Sequence, residues 1–213
     1  MRKIKPTETL AEKAYKEIKQ AIIANDFQPL EILAEERLAV NLGISRTPIK
    51  AALNQLAFEG LVEMKPGRKA RVSKISMQDV VNFQVIRESL ETLAARLAIE
   101  HIDEQQVELL KDICDQQKEA IAEDNYSKFL ELDNEFHFSI AGFSKNEQLN
   151  DYITNLIYQV QRFLILSSTL QESANGAVEE HLQIVEALKT KIPLEVEKQM
   201  KLHVQNVTKR ILT

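Results

Sequence analysis

The sequence has a single cysteine, Cys114, among its 213 residues. One thiol excludes an internal disulfide and fits a reducing compartment, the cytoplasm. Its ordinary role is that of a small buried apolar group. No run of 18 apolar residues occurs, so no membrane span is expected. The opening "MRKIKPTETLAEKAY" is basic but lacks an apolar segment behind its charges, so it is not expected to be a signal peptide. Internal repeats and low-complexity tracts are absent too. The chain is nonetheless 44% hydrophobic, enough for a buried core in one large domain or two small ones.

A net charge of −5 argues against nucleic acid until its distribution is considered. Residues 1–75 carry 14 Lys+Arg and 9 Asp+Glu, a net of +5. Residues 76–213 carry 13 and 23, a net of −10. This asymmetry predicts two domains with different partners, at 1–74 and 75–213, the basic one suited to phosphates.

The basic segment opens with "TLAEKAYKEIKQAIIAN", where Thr9 and Glu12 have the spacing of a capping box. Leu10, Ala14, Ile18 and Ile22 follow at helical spacing. After "QPLE" comes a short helix, "AEERLAVNL", ended by Gly43, which takes a left-handed φ without strain. In "ISRTPIKAALNQLAFEG", Ser45 is placed as an N-cap and Pro48 lies in the first turn. Ile49, Ala52, Leu53 and Leu56 face inward; Thr47, Lys50 and Asn54 face outward beside Arg46. Helix, glycine turn, then a helix with a polar and basic outer face is a helix-turn-helix, whose second helix enters the major groove. "LVEMKPGRKARVSKI" adds strands over Leu61–Met64 and Ala70–Ser73, joined at Pro66-Gly67. Arg68, Lys69 and Arg71 on this hairpin are placed to touch phosphate or the minor groove.

The stretch "LGISRTPIKAALNQLAFEGLV" resembles the winged helix of the GntR family of bacterial transcription regulators. The match runs from Leu33 to Val72 and implies operator contacts by Arg37, Ser45, Arg46, Thr47, Lys50, Asn54, Arg68, Lys69 and Arg71. Lys50 stands where the family usually has arginine, and Ala51 where it has glutamate. Lysine cannot make arginine's bidentate guanine contact, so the resemblance carries the fold rather than the operator sequence. Family members pair, which implies a homodimer on a pseudo-palindromic double-stranded operator.

The acidic segment has few breakers and no strand-like alternation. Its pattern predicts helices at about 76–101, 103–123, 126–142, 146–170, 174–190 and 193–211, with one turn over Ser173–Gly176. The expected fold is therefore mainly α: an N-terminal winged helix-turn-helix and a C-terminal all-α six-helix bundle.

In "LELDNEFHFSI", Asp133 and His137 lie four apart on the apolar stripe of Phe129, Phe136 and Ile140. His181 shares a stripe with Ala177, Ile184 and Leu188, and His203 one with Val196, Met200 and Val207. A buried carboxylate without a partner is costly. A bound cation relieves that cost, and one carboxylate with three neutral imidazoles suits Zn, Ni, Mn or Fe. His101, at a helix end, has no such stripe. "RESLETLAARLA", "DNEFH", "EEHLQIVEAL" and "MKLH" are similar, in that order, to the FCD-type ligand-binding domain of the FadR subfamily, six helices pointing to its VanR-like group. Its metal-binding branch implies Asp133, His137, His181 and His203 as ligands, and a small carboxylate as effector.

Arg87 and Arg162 also fall on inward stripes. An inward guanidinium needs an anion: the effector, or, for Arg87, an internal pair with Glu91 or Glu88, or, for Arg162, which has no acid at i±3 or i±4, a distant acid. The expected function is a DNA-binding regulator, a repressor, modulated by a small organic acid at the metal site. Two alternatives remain open. In one the metal is purely structural. In the other the ion activates water for hydrolysis, but there is no H-E-x-x-H motif and Glu135 points away from the Asp133–His137 face.

Overall fold

Thr9 opens the first helix. In the computed structural model, which describes residues 8–167 and 170–212, its hydroxyl accepts from the Glu12 amide while the Glu12 carboxylate accepts from the Thr9 amide. The expected capping box is thus complete. Residues 1–7, the first part of the basic opening, lie outside the described residues. Helix α1 (Leu10–Ile23) buries Ala14, Ile18 and Ile22. Helix α2 (Glu35–Leu42) stops on Gly43 at φ 64°, a backbone that side chains rarely adopt. Helix α3 (Arg46–Phe58) buries Ile49, Ala52, Leu53 and Leu56. Its apolar spacing of three and four residues allows one face to pack while the other stays polar. Ser45 occupies the N-cap position, but its side chain makes no capping hydrogen bond. Lys19 of α1 is almost fully buried; it is satisfied by Glu59 just beyond α3 at 2.8 Å and by Tyr15.

Strands β1 (Val62–Glu63) and β2 (Arg71–Val72) pair antiparallel, with Val62 opposite Val72 and Glu63 opposite Arg71. The turn between them passes through Gly67 at φ 72°. Both strands are shorter than their apolar pattern predicts. Ile32 adds a bridge to Arg71 on the far edge. A single bridged residue has no alternation to betray it in sequence.

The chain divides into two compact units, the second beginning at Ser76. That unit is helical throughout its described residues: α4 (Met77–Ala98), α5 (Glu104–Ala122), α6 (Tyr126–Phe143), α7 (Glu147–Ser167), α8 (Leu170–Thr190) and α9 (Pro193–Leu212). Capping boxes at Ser76/Asp79 and Asp103/Gln106 start α4 and α5. The helix expected over 146–170 crosses residues 168 and 169, which lie outside the described residues. Ser173–Gly176 is a correction: it is not a turn but part of α8. These small residues accommodate a neighbour. Arg210 of α9 crosses there, its Nη1 2.9 Å from where a Cβ on Gly176 would stand. Leu110, Leu132, Phe136, Ile184 and Leu188 anchor the core. None of the helices among the described residues is long and apolar enough to cross a membrane.

Candidate functional sites

Three helices each bring one histidine to a common point. The helical spacing of α6 puts Asp133 and His137 on one face, and the apolar stripes of α8 and α9 turn His181 and His203 inward. All three imidazoles are buried, at 2%, 0% and 1% exposure. Their ligand-capable atoms lie within 4.8 Å of one another. Nε2 of His137 and Nε2 of His203 are 3.3 Å apart. Asp133 stands at the edge, partly exposed, with Oδ1 3.6 Å from His181 Nε2. Phe136 stacks on the His181 ring with centroids 4.2 Å apart.

The other nitrogen of each ring faces a polar side chain, and in His181 and His203 it makes a hydrogen bond there. His137 Nδ1 lies 2.5 Å from Glu91 of α4. His181 Nδ1 is 2.9 Å from the Gln117 side-chain oxygen of α5, and His203 Nδ1 is 2.9 Å from Glu180 of α8. With a proton on each Nδ1, the three Nε2 lone pairs converge. Metal-bound histidines are oriented in this way, since the outer acceptor fixes the tautomer and ring angle. His181 Nε2 is buried with no hydrogen-bond partner among the described residues. Such an orphaned acceptor, with two more imidazoles and a carboxylate beside it, fits a transition-metal ion.

The two carboxylates are themselves held. Arg87 Nε donates to Glu91 at 2.5 Å. Arg210 grips both oxygens of Glu180, at 2.8 and 2.9 Å, and Asn206 donates to one of them. Burial opposes the charge of Glu91, but Arg87 and His137 outweigh it and hold the carboxyl far below its usual range. Burial likewise opposes the charge of Glu180, yet Arg210 and His203 hold it down at about 2. Burial, then the neighbouring imidazoles, keep His181 well below an ordinary imidazole. His203 is lowered by burial against the pull of Glu180. Both rings are thereby kept in the neutral form that ligates. Cys114 takes no part: burial pushes its thiol up to about 12.

A cavity of about 30 Å³ adjoins the cluster, lined by Arg87, Asp133, Asn134, His137 and His203 on its polar side. One water needs about 10–15 Å³ by this measure, so there is room for an ion with little company. Arg87 reaches this cavity but is paired to Glu91, the internal partner foreseen as one possibility, and also to Gln84 at 3.2 Å. Arg162 is buried yet is not among the cavity-lining residues. Both sides of α7 are buried, so periodicity does not tell which one meets the cavity. The lining stripe is Ile157, Val160, Gln161 and Leu164. Gln161 accepts from Asn134 at 2.7 Å across the cavity wall. Sequence reasoning missed Gln117, Glu180, Arg210, Asn134 and Gln161. Only Glu180 carried a hint, as the residue beside His181.

In the first unit, Ser45, Arg46, Thr47, Lys50 and Asn54 are exposed on α3 or at its start. Arg46 is shared between Glu35 at 3.0 Å and Glu36 at 2.9 Å. Arg37 holds Glu31 at 2.7 Å, and Arg71 holds Glu63 at 2.7 Å. Arg68, Lys69 and Arg71 line one hollow at the hairpin together with Lys65. The structure therefore groups the hairpin cations, and gives three of the four arginines expected at DNA a carboxylate of their own.

Residues 10–72 match the family model described as bacterial regulatory proteins, gntR family, and residues 83–206 match the FCD domain. The chain is 30% identical over 208 residues to the HTH-type transcriptional repressor RspR of Escherichia coli (strain K12), spanning 98% of this chain and 91% of that protein. It is 25% identical over 220 residues to the HTH-type transcriptional repressor NanR of Escherichia coli (strain K12 / DH10B), spanning 93% and 83%. Among solved structures, E. coli McbR/YncC shares the fold with a TM-score of 0.81 at 20% identity, over 93% of this chain and 95% of that one.

Proposed function

Since the chain belongs to the GntR family of bacterial transcriptional regulators and carries an FCD domain, we propose that it is a repressor whose operator affinity is set by a small carboxylate bound beside a transition-metal ion. Regulation rather than catalysis is the family's work. The GntR helix-turn-helix binds operator DNA, and the FCD domain binds a small-molecule effector. The observation that carries the finer reading is the convergence of three buried imidazoles, two of them steadied by a hydrogen bond at Nδ1. Asp133, His137, His181 and His203 would hold the ion, which is Zn, Ni, Mn or Fe by ligand type. The ion would supply open coordination positions for a carboxylate.

An effector also needs a counter-cation and space. Arg87 lines the cavity and is the cation an anion would meet there; Arg162, off the lining, has no support for that part. About 30 Å³ does not admit an organic acid beside an ion. The acid therefore selects an opened arrangement of the helices, which is how a ligand biases one state of a protein over another. Isothermal calorimetry with mono-, di- and tricarboxylates should show binding to metal-loaded protein that disappears in chelator. Binding that survives chelation would establish the second reading, a regulator with a purely structural metal.

On DNA the protein would act as a homodimer at a pseudo-palindrome, with Arg46 at base edges and the hairpin on the backbone. Arg46→Ala should cost about 1–3 kcal/mol on the operator and relax discrimination at one base position. Arg68→Ala should weaken operator and scrambled DNA alike and reduce the slope of log K against log salt by about 1. Fluorescence anisotropy on both duplexes across a salt series separates the two roles. Equal losses on both duplexes for Arg46→Ala would remove it from base readout.

A further inference from the structure

We propose that Arg210 is a positioning residue for His203, acting through Glu180, and that Gly176 is the residue that makes room for it. The consequence for metal affinity rests on the metal reading above; the geometry does not. Arg210 sits in the last turn of α9 and reaches across α8. There it spans one face of that helix, from Ser173, whose hydroxyl accepts from Nε at 3.2 Å, to Glu180, gripped by Nη1 and Nη2. Gly176 lies between these two contacts, one turn from each. A Cβ at this position would stand 2.9 Å from Nη1 and 3.4 Å from Cζ. A glycine in the middle of a helix is unfavourable unless something needs its missing side chain. Here the guanidinium needs it.

The grip reaches the metal cluster in one further step. Glu180 Oε2 accepts from Arg210 Nη2 and also faces His203 Nδ1 at 2.9 Å. A carboxylate that is ionised and fixed is an acceptor only, so it requires His203 to carry its proton on Nδ1. Nε2 is then left as a lone pair directed at His137 and His181. Without the fork, Glu180, whose side chain is 13% exposed, keeps Asn206 on Oε1, but Oε2, the oxygen that faces His203, loses its anchor. His203 can then adopt either tautomer, one of which points a proton at the ion's position. Glu91, paired to Arg87, lies beside His137 Nδ1 without a hydrogen bond to it, and Arg87 also lines the cavity. Arg210 is absent from the cavity lining, so its effect on the site passes through Glu180.

The test uses the full-length protein and two readouts. In metal-free protein, 15N–1H spectra of the imidazoles report which nitrogen is protonated. Wild-type His203 should show a single Nδ1–H tautomer, and Arg210→Met and Gly176→Ala a mixture. With Co²⁺ as the probe metal in competition with a chelator, Arg210→Met and Glu180→Gln should bind roughly 10- to 100-fold more weakly, the usual loss for an outer partner of a ligating histidine. Lys209→Ala, one residue away and exposed, should bind as wild type. Gly176→Ala is the sharper variant, because alanine favours the helix while displacing Arg210. Melting temperature maintained or raised, with weaker Co²⁺ binding, is a split that a merely structural role does not produce. Affinities within twofold of wild type in Arg210→Met and Gly176→Ala, or an unchanged His203 tautomer in both, would overturn the proposal. If wild-type protein takes up no Co²⁺, the metal reading fails, and the tautomer spectra still decide whether Arg210 positions His203.

Discussion

Glu91→Ala should destabilise the protein by about 3–5 kcal/mol, the usual cost of stripping one member from a buried ion pair. Glu91 is 2% exposed and Arg87 4%, with Nε and Oε1 2.5 Å apart. Alanine leaves a guanidinium buried with Gln84 as its hydrogen-bond partner among the described residues, and takes the carboxylate from beside His137 Nδ1. Urea midpoints measure the loss. The double variant Arg87→Met/Glu91→Leu should recover much of it, because replacing both charges removes the desolvation cost along with the attraction. A loss below about 1 kcal/mol for Glu91→Ala would mean that water reaches the pair.

His181→Ala should abolish the stabilisation that a bound metal confers. Binding to the native state alone raises stability by about 4 kcal/mol when free metal is about 1,000 times Kd. Thermal melts of wild type with and without Zn²⁺ should differ on that scale, and those of His181→Ala should coincide. The metal-free protein has a pH signature as well. The folded-state pKa values of His181 and His203 lie below the unperturbed 6.5, so the unfolded chain binds more protons. Stability therefore falls as pH drops below 6.5, and less so in His181→Ala, which lacks one of the two groups. Glu91 and Glu180 act in a lower window. Their depressed values give stability that is present above 4.5 and lost as pH falls toward the folded pKa, about 2 for Glu180. Urea midpoints that stay flat below 6.5 in metal-free wild type would contradict the burial of neutral imidazoles.

Features within a few turns of the chain were legible because their causes are local. Thr9 and Glu12 cap α1 through a contact three residues long. The inward faces of α3 and the three histidines follow from helical spacing, and these side chains are buried. What was not legible depends on distant partners. Ser173–Gly176 imitates a turn because its small side chains answer to Arg210, more than 30 residues on. Glu180 looks like a solvated charge until α9 covers it with Arg210 and His203. Arg162 lies on one buried stripe of α7 and the cavity is lined by another, a choice that periodicity within one helix does not record. The carboxylates on Arg46, Arg37 and Arg71 come from the preceding helix, the preceding loop and the facing strand. No single-helix periodicity records these.

Arg46 is already paired, since Glu35 and Glu36 occupy its guanidinium in the manner of a phosphate. To read a base it must exchange partners, and the free energy gained is only the difference between the two. The exchange is made only where the DNA offers Arg46 more than the two carboxylates do, so it lowers the gain at every base Arg46 engages. It acts on residence time: a sequence that offers Arg46 less than two carboxylates do is left quickly. The same acids repel the phosphates that would otherwise hold the helix at random positions. For a protein that must find one site among about 10⁶–10⁹ competitors, a short stay on each wrong one shortens the search.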